Sequence, residues 1–295
     1  MEKCNICPRK CNIDRTKNVG YCRVNNKVKI SLASIHNFEE PCISGENGSG
    51  TIFFTGCNLR CVYCQNYEIS SMLHGVEITT QKLAEIMLRL QSKNVHNINL
   101  VTPTMYVLEI IEAIKLAREN GLKIPIVYNT SGYESVETLK MLEDYVDIYL
   151  PDFKYADNDL AYKYSNVKDY FENVTLALKE MRRQKEDSFD ENQIMKTGLI
   201  VRHMILPNHI KNTKSVIKWI KDNLGENTII SIMAQYFPTY KAYEYKDINR
   251  KINECELQEV EDFLFENDML NGYIQELGKH EEEYVPEFNL DILDN

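Results

Sequence analysis

The stretch that decides the fold is "GTIFFTGCNLRCVYCQNYEIS", Gly50 to Ser70. Its first part, Thr51–Gly56, is a short apolar, aromatic-rich run and predicts a strand. Directly behind it come Cys57, Cys61 and Cys64, separated by three residues and then two. A closed tetrahedral metal site takes four ligands, yet this loop supplies three thiols and stops. On a cubane iron–sulfur cluster, normally held by four thiolates, three would leave one iron without a protein ligand. An open coordination position is what lets a metal centre bind a reactant. Phe53, Phe54 and Tyr63 flank the loop and would keep water from such a cluster.

Outward from this strand, apolar runs and helical periodicities alternate. "NINLVTP", "IPIVYNT", "VDIYLPDFKY", "TGLIVRHMILPN" and "TIISIMAQYFP" predict five further strands. Between them lies "TTQKLAEIMLRLQSKN", with Leu83, Ile86, Met87 and Leu90 at helical spacing and Thr79 or Thr80 as N-cap. "MYVLEIIEAIKLAREN", closed by Gly121, the run around Val136–Leu142, "YFENVTLALKEMRRQKE" and "TKSVIKWIKDNLG" predict the other helices. Six strand-then-helix repeats imply an α/β fold: a partial parallel (β/α)6 barrel with a small N-terminal Cys-rich, metal-binding extension. The expected divisions are 1–45 for the extension, 46–245 for the core, and 246–295 for the helix "ECELQEVEDFLFEND" and an acidic tail.

Composition narrows the function. The chain has 295 residues, 43% of them hydrophobic and 26% charged, as in an ordinary soluble enzyme. With 34 basic and 44 acidic residues the net charge is −10, which disfavours nucleic-acid binding. "MEKCNICPRK" lacks the apolar core of a signal peptide, and no run is long enough to span a bilayer, so a cytoplasmic protein is expected. Thiols there stay reduced, so nine cysteines, eight of them before residue 65, read as metal ligands. Cys4, Cys7, Cys11 and Cys22 form C-x2-C-x3-C-x10-C, enough for a complete four-thiolate site, zinc or an auxiliary iron–sulfur cluster. Cys42 and Cys255 stand singly.

In sheets of this kind, sites gather at the carboxyl ends of the strands. Thr102, Thr104, Asn129 to Ser131, Asp152, Lys154, Arg202, His203 and Gln235 all follow strands and fall on that rim. Several of the candidates have a plainer reading. Asp152 and Lys154 could be a surface ion pair, and alternation turns one of Arg202 and His203 toward the core. The three cysteines could hold a structural zinc completed by His36, His74 or Cys42. "EEPCISGENGSG" reads as a shaped loop rather than a phosphate cradle, and "QYFPTYKAYEY" as channel lining or edge packing.

"CNLRCVYC" after a first strand resembles the signature of the radical S-adenosylmethionine superfamily. "EEPCISGENGSGTIFFTGCNLRCVYCQNYEIS", "CNICPRKCNIDR", "NLVTPTMY", "LPDFKY", "VRHMILPN" and "MAQYFP" resemble, more narrowly, the pyruvate formate-lyase activating enzyme-related (PflX-like) group. That resemblance implies a 4Fe-4S cluster on Cys57, Cys61 and Cys64 whose fourth iron binds S-adenosylmethionine. One electron from the reduced cluster then cleaves the sulfonium to a 5′-deoxyadenosyl radical that abstracts hydrogen. It further implies Tyr63 against the adenine, Asn129 in a third-strand motif, and Lys154 of "DFK" on the cofactor carboxylate. Where many relatives carry Gly-Gly-Glu for the methionyl amino group, this chain has "VTPT", which leaves the hydroxyls of Thr102 and Thr104 as candidates. Asp152 and Arg202 complete the expected cofactor contacts. Expected partners are a protein or peptide substrate, among them a glycyl-radical protein, and an electron donor such as flavodoxin or ferredoxin; a small-molecule substrate and a non-catalytic redox sensor are the alternatives.

Overall fold

The computed structural model describes residues 3–278 and 286–290. Strands β1 (Val28–His36) and β2 (Ser49–Phe54) pair antiparallel and are joined through the short helix α1 (Pro41–Ser44). The cysteine loop, α2 (Tyr67–Ser70) and the edge strand β3 (Val76–Ile78), which pairs with β1, come next. Helices and strands then alternate: α3 (Thr80–Ser92), β4 (Ile98–Val101), α4 (Val107–Glu119), β5 (Ile126–Thr130), α5 (Val136–Leu142) and β6 (Ile148–Pro151). They continue as α6 (Asn158–Ser165), α7 (Tyr170–Gln184), the two-residue β7 (Ser188–Phe189), β8 (Met195–Met204) and α8 (Ile210–Leu224). β9 (Ile229–Met233), α9 (Glu254–Glu266) and β10 (Gly272–Ile274) close the sheet.

Across the sheet the order runs β10, β9, β8, β6, β5, β4, β2, β1, β3, with β7 paired to β8. Along that order every pairing from β2 to β10 is parallel, and the side pairing of β7 with β8 is antiparallel. The fold is therefore the expected partial parallel barrel, with two corrections. β10 adds a seventh parallel strand to the six expected, and Val28–His36, expected in the extension, belongs to the sheet. The acidic end expected after α9 lies partly outside the described residues. Among the described residues no helix is long and apolar enough to cross a membrane.

The strands are buried on both faces, as parallel sheets require. Thr79 caps α3 by accepting a hydrogen bond from the Lys82 N–H at 3.0 Å, and Leu83, Ile86, Met87 and Leu90 face the sheet. Alternation sends one set of strand side chains toward the helices and the other into the barrel. Val127, Ile148, Leu150, Ile200 and Ile229 form the inward set, packed on Cys42 and Ile43 of α1. Pro41 opens that helix at a position where its missing N–H costs nothing. α1 thus plugs the barrel with apolar side chains, and burying Ile43 alone is worth about 1.5–3 kcal/mol. The residues one layer further along β5, β6, β8 and β9 (Asn129, Asp152, Arg202 and Ser231) stand above that plug.

Candidate active site at the barrel mouth

β2 hands the chain to the cysteine loop at Gly56, whose φ is +93°. A side chain there would be strained and would meet Val24 Cγ1 at 2.9 Å and the Cys22 carbonyl oxygen at 3.0 Å, so glycine is required. The loop is pinned to the carboxyl end of α6: Arg60 and Val62 N–H donate to the Ser165 and Tyr164 carbonyls at 3.1 and 2.8 Å. Each thiol has a partner. Leu59 N–H donates to Cys57 Sγ (3.4 Å), Ser165 Oγ to Cys61 Sγ (3.0 Å), and Cys64 Sγ lies 3.2 Å from Ser70 Oγ. Burial pushes the Cys57 thiol up to about 12 and Cys64 to about 11, and also raises Cys61. Protonated thiols at neutral pH suit a site whose protons leave only when a metal arrives.

The three cysteines open onto a cavity of about 680 Å³, ample for a cofactor-sized ligand. Facing them is a charged network. Arg202 donates from Nε to Asp152 Oδ1 (2.9 Å), from Nη1 to Glu39 Oε2 (3.2 Å) and from Nη2 to Asn129 Oδ1 (2.6 Å). Lys154 Nζ reaches Asp152 Oδ2 at 2.6 Å, and Asn99 Nδ2 donates to Glu39 Oε1 at 2.8 Å. Burial alone would neutralise Asp152, but the Arg202 and Lys154 charges hold its carboxyl below the usual range. Burial likewise opposes the Lys154 ammonium, and Asp152 and the Cys61 sulfur outweigh it. This is a buried, hydrogen-bonded ion cluster on the cavity wall, not a surface pair.

Tyr63, Thr102, Asn129, Asp152, Lys154 and Arg202 all line the cavity. Tyr63 ends a relay from the cluster loop: Tyr63 OH meets Tyr155 OH (2.5 Å), which meets Ser165 Oγ (2.7 Å), the donor to Cys61. Thr102 holds φ at +57°, a region β-branched residues avoid, and strain of this kind concentrates at functional sites. Thr104 does not line the cavity. Its hydroxyl donates to the buried Glu134 at 2.5 Å, so it is a structural group. His203 turns outward, between the Phe153 carbonyl (2.6 Å) and Thr213 (2.9 Å), and alternation leaves Arg202 facing in. Arg202 spends all three of its nitrogens on protein partners, so it arranges neighbouring acids rather than offering a free fork. Glu39 and Glu40, from the loop before α1, are additional cavity residues; a tandem acid before Pro41 is their only trace in the sequence.

The N-terminal segment packs against the same loop. Arg9 donates to the carbonyls of Asn58 and Asn166, each at 2.9 Å, and stacks 3.8 Å from the Tyr21 ring centroid. Ser135 and Thr138 hydroxyls both donate to the Ile6 carbonyl. Cys11 and Cys22 flank Gly20, where an added Cβ would lie 3.3 and 3.6 Å from their sulfurs. Burial pushes the Cys7 thiol up to about 12, with the Glu134, Cys22 and Cys11 charges adding to it. All nine cysteines are free thiols.

Among the described residues no group of three or more His, Cys, Asp or Glu side chains converges closely enough to clasp a single metal ion. Cys42 cannot complete a zinc at the loop, because it is buried in the plug beneath the cavity. A cubane cluster spreads its thiolates over several irons and asks for no such convergence; three soft thiolates on one loop fit it.

The fold and the loop together define a barrel enzyme built around a three-cysteine cluster motif. A profile of the Radical SAM superfamily matches residues 51–200, and the chain belongs to that superfamily. An uncharacterized protein of Methanocaldococcus jannaschii is 33% identical over 88% of this chain and 73% of its own length. The pyruvate formate-lyase-activating enzyme of Clostridium pasteurianum is 24% identical over 83% of this chain and 98% of its own, which relates the chain to the activating enzymes. Among solved structures, the FeFe-hydrogenase maturase HydG of Carboxydothermus hydrogenoformans superposes with TM-score 0.53 at 12% identity, covering 78% of this chain and 53% of that one. Streptococcus suis SuiB, solved with its precursor peptide SuiA, gives TM-score 0.52 at 13% identity, covering 75% and 46%. The chain thus spans about half the length of these two structures, and the likeness is one of fold. Membership implies a 4Fe-4S cluster and S-adenosylmethionine as cofactors.

Proposed function

We propose that this chain is a cytoplasmic enzyme that holds three irons of a 4Fe-4S cluster through Cys57, Cys61 and Cys64 and leaves the fourth for S-adenosylmethionine. When bound, that pair supplies one-electron cleavage of the sulfonium and hydrogen abstraction by the 5′-deoxyadenosyl radical. The observation that carries the reading is the three-thiol loop opening onto a closed-bottomed cavity whose lining, among the described residues, holds no fourth cysteine. The protein's own residues do the rest. Lys154, charged and paired on one side only to Asp152, offers its remaining donors to an anionic group such as the cofactor carboxylate. Tyr63 gives an apolar ring beside the loop, and the α1 plug excludes water from below.

The finer reading is formation of a glycyl radical on a partner protein, with flavodoxin or ferredoxin as electron donor. Similarity to an activating enzyme over nearly that enzyme's whole length supports it. The Cys4, Cys7, Cys11 and Cys22 thiols are proposed to hold a second metal, zinc or iron–sulfur, that staples a segment too short to fold alone. Protein reconstituted without oxygen and mixed with dithionite and S-adenosylmethionine should yield 5′-deoxyadenosine; a formed cluster without that product refutes the enzyme reading.

A further inference from the structure

We propose that the floor of the cavity binds a protonated primary amine of the substrate, taken by Glu40 with Ser231 beside it. The proposal deepens the functional reading above and rests on it. Five acidic or strongly basic residues line the cavity: Glu39, Glu40, Asp152, Lys154 and Arg202. Three of them are acids and two are bases, so with every group charged the wall would be one cation short. Arg202 is committed to Asp152, Glu39 and Asn129, while Lys154 bonds Asp152 and is acted on by the Cys61 sulfur, with no bond to Glu40 among the described residues. The second oxygen of Glu39 is taken by Asn99.

Glu40 is what remains. It is only 8% exposed, has no ion pair among the described residues, and its Oε2 has no hydrogen-bond partner there. The Ser231 hydroxyl, itself 4% exposed, bonds the same carboxyl and lines the same cavity. A buried carboxyl with an open oxygen is costly unless a donor meets it. Burial pushes the Glu40 carboxyl upward and Glu39 adds to it. The Arg202 charge, bonded to other partners, pulls the other way without overcoming burial, so a cation in direct contact would restore the charged form.

The class of cation follows from the geometry. One open oxygen matches a single N–H of a compact ammonium, whereas a guanidinium is best met by both oxygens of a carboxylate. Because Cys42 and Ile43 seal the barrel below, the ligand enters from the cysteine side. An amine seated on the floor therefore has its carbon chain in the space between floor and cluster loop, where hydrogen abstraction would occur. His36, also on the wall, is no rival cation, since burial and the Arg202 charge depress its protonation.

The test is calorimetric titration of anaerobically reconstituted protein, before and after saturation with S-adenosylmethionine and without reductant. The probes are N-acetyl-lysine amide, its uncharged analogue N-acetyl-norleucine amide, and free pentylamine. The lysine probe should bind at least tenfold more tightly than the norleucine probe in both states. Glu40→Gln should abolish that preference, and Ser231→Ala should reduce it severalfold, which keeps the test decisive if one variant folds poorly. Tighter binding of the lysine amide than of pentylamine places the amine on a polypeptide, and the reverse on a small molecule. No preference in the wild type, a preference that survives Glu40→Gln, or amine binding that disappears once S-adenosylmethionine is bound each overturns the proposal. The last result would give the floor to the cofactor's own amino group. A wild type that discriminates amines but makes no 5′-deoxyadenosine would instead fail the enzyme reading alone.

Discussion

Two cysteine-rich regions lie side by side in this molecule and differ in one respect that matters. The quartet Cys4, Cys7, Cys11 and Cys22 sits in a segment with little core of its own, held to the barrel by Arg9, Ser135 and Thr138. The trio Cys57, Cys61 and Cys64 sits on a loop clamped by α6 and opens onto the cavity. Four thiols can close a site, whereas three beside a cavity leave a corner for a ligand. On the proposed reading, sulfur would staple in one place and hold a reactive centre in the other, with placement relative to the barrel mouth deciding which.

The largest expected effect separates the two regions outright. Cys61→Ala should abolish cluster assembly at the loop and drop 5′-deoxyadenosine to background while the N-terminal metal stays, as read by metal analysis and product chromatography. Equal loss of both metals would contradict two independent sites. Next in size, Cys11→Ala should release the N-terminal metal and destabilise the protein by about 3 kcal/mol, lowering Tm by several degrees, because metal binding supplies that segment's folding energy. The loop cluster should still assemble.

A third outcome concerns the ground on which the trio's partners stand. His203 braces the Phe153 carbonyl next to Asp152 and Lys154, and burial holds its imidazole down at about 4. An unfolded imidazole titrates near 6.5, so the stability this neutral ring contributes is fully present above that pH. It is lost as pH falls toward 4, on the order of 3 kcal/mol in all. Thermal melts should show the wild type losing stability from pH 7 to 5 more steeply than His203→Gln; parallel curves would remove His203 from the account. The smallest effect is on tuning. Ser165→Ala removes the hydrogen bond to Cys61 Sγ and should move the loop cluster to a more negative reduction potential without touching the N-terminal metal. An unchanged potential would mean that the bond does not persist once the cluster is bound.

How much of this is legible in sequence depends on the range over which the signal acts. β2, β4, β5, β6, β8 and β9 announce themselves because each is a continuous apolar run ended by a polar residue or proline, which buried parallel strands demand. β3 and β7 are too short to show a period. β1 does alternate, through Val28, Ile30 and Leu32, but it lies beside the cysteine quartet, whose chemistry dominates any reading of that region. α6 is short and polar, yet it clamps the cysteine loop, a role visible only in three dimensions. The three cysteines are a local pattern and read directly, whereas Asp152 and Lys154 read alone as a surface pair and gain a site role only from the resemblance of "DFK" to a family motif. Glu39 meets Arg202 across 163 residues of chain, and no local pattern encodes that meeting. Thr104 misleads for the complementary reason: it follows a strand like a site residue, but its partner Glu134 is buried after the neighbouring strand and neither lines the cavity.

The central claim is that the trio, and not the quartet, carries an open iron. Electron paramagnetic resonance of the dithionite-reduced protein, recorded with and without S-adenosylmethionine, tests it most directly once the signal of a Cys57→Ala, Cys61→Ala, Cys64→Ala variant has been subtracted. The remaining loop signal should change in shape and g-values when S-adenosylmethionine is added, while the variant's own signal stays as it was. A loop signal identical in the two samples would contradict the account.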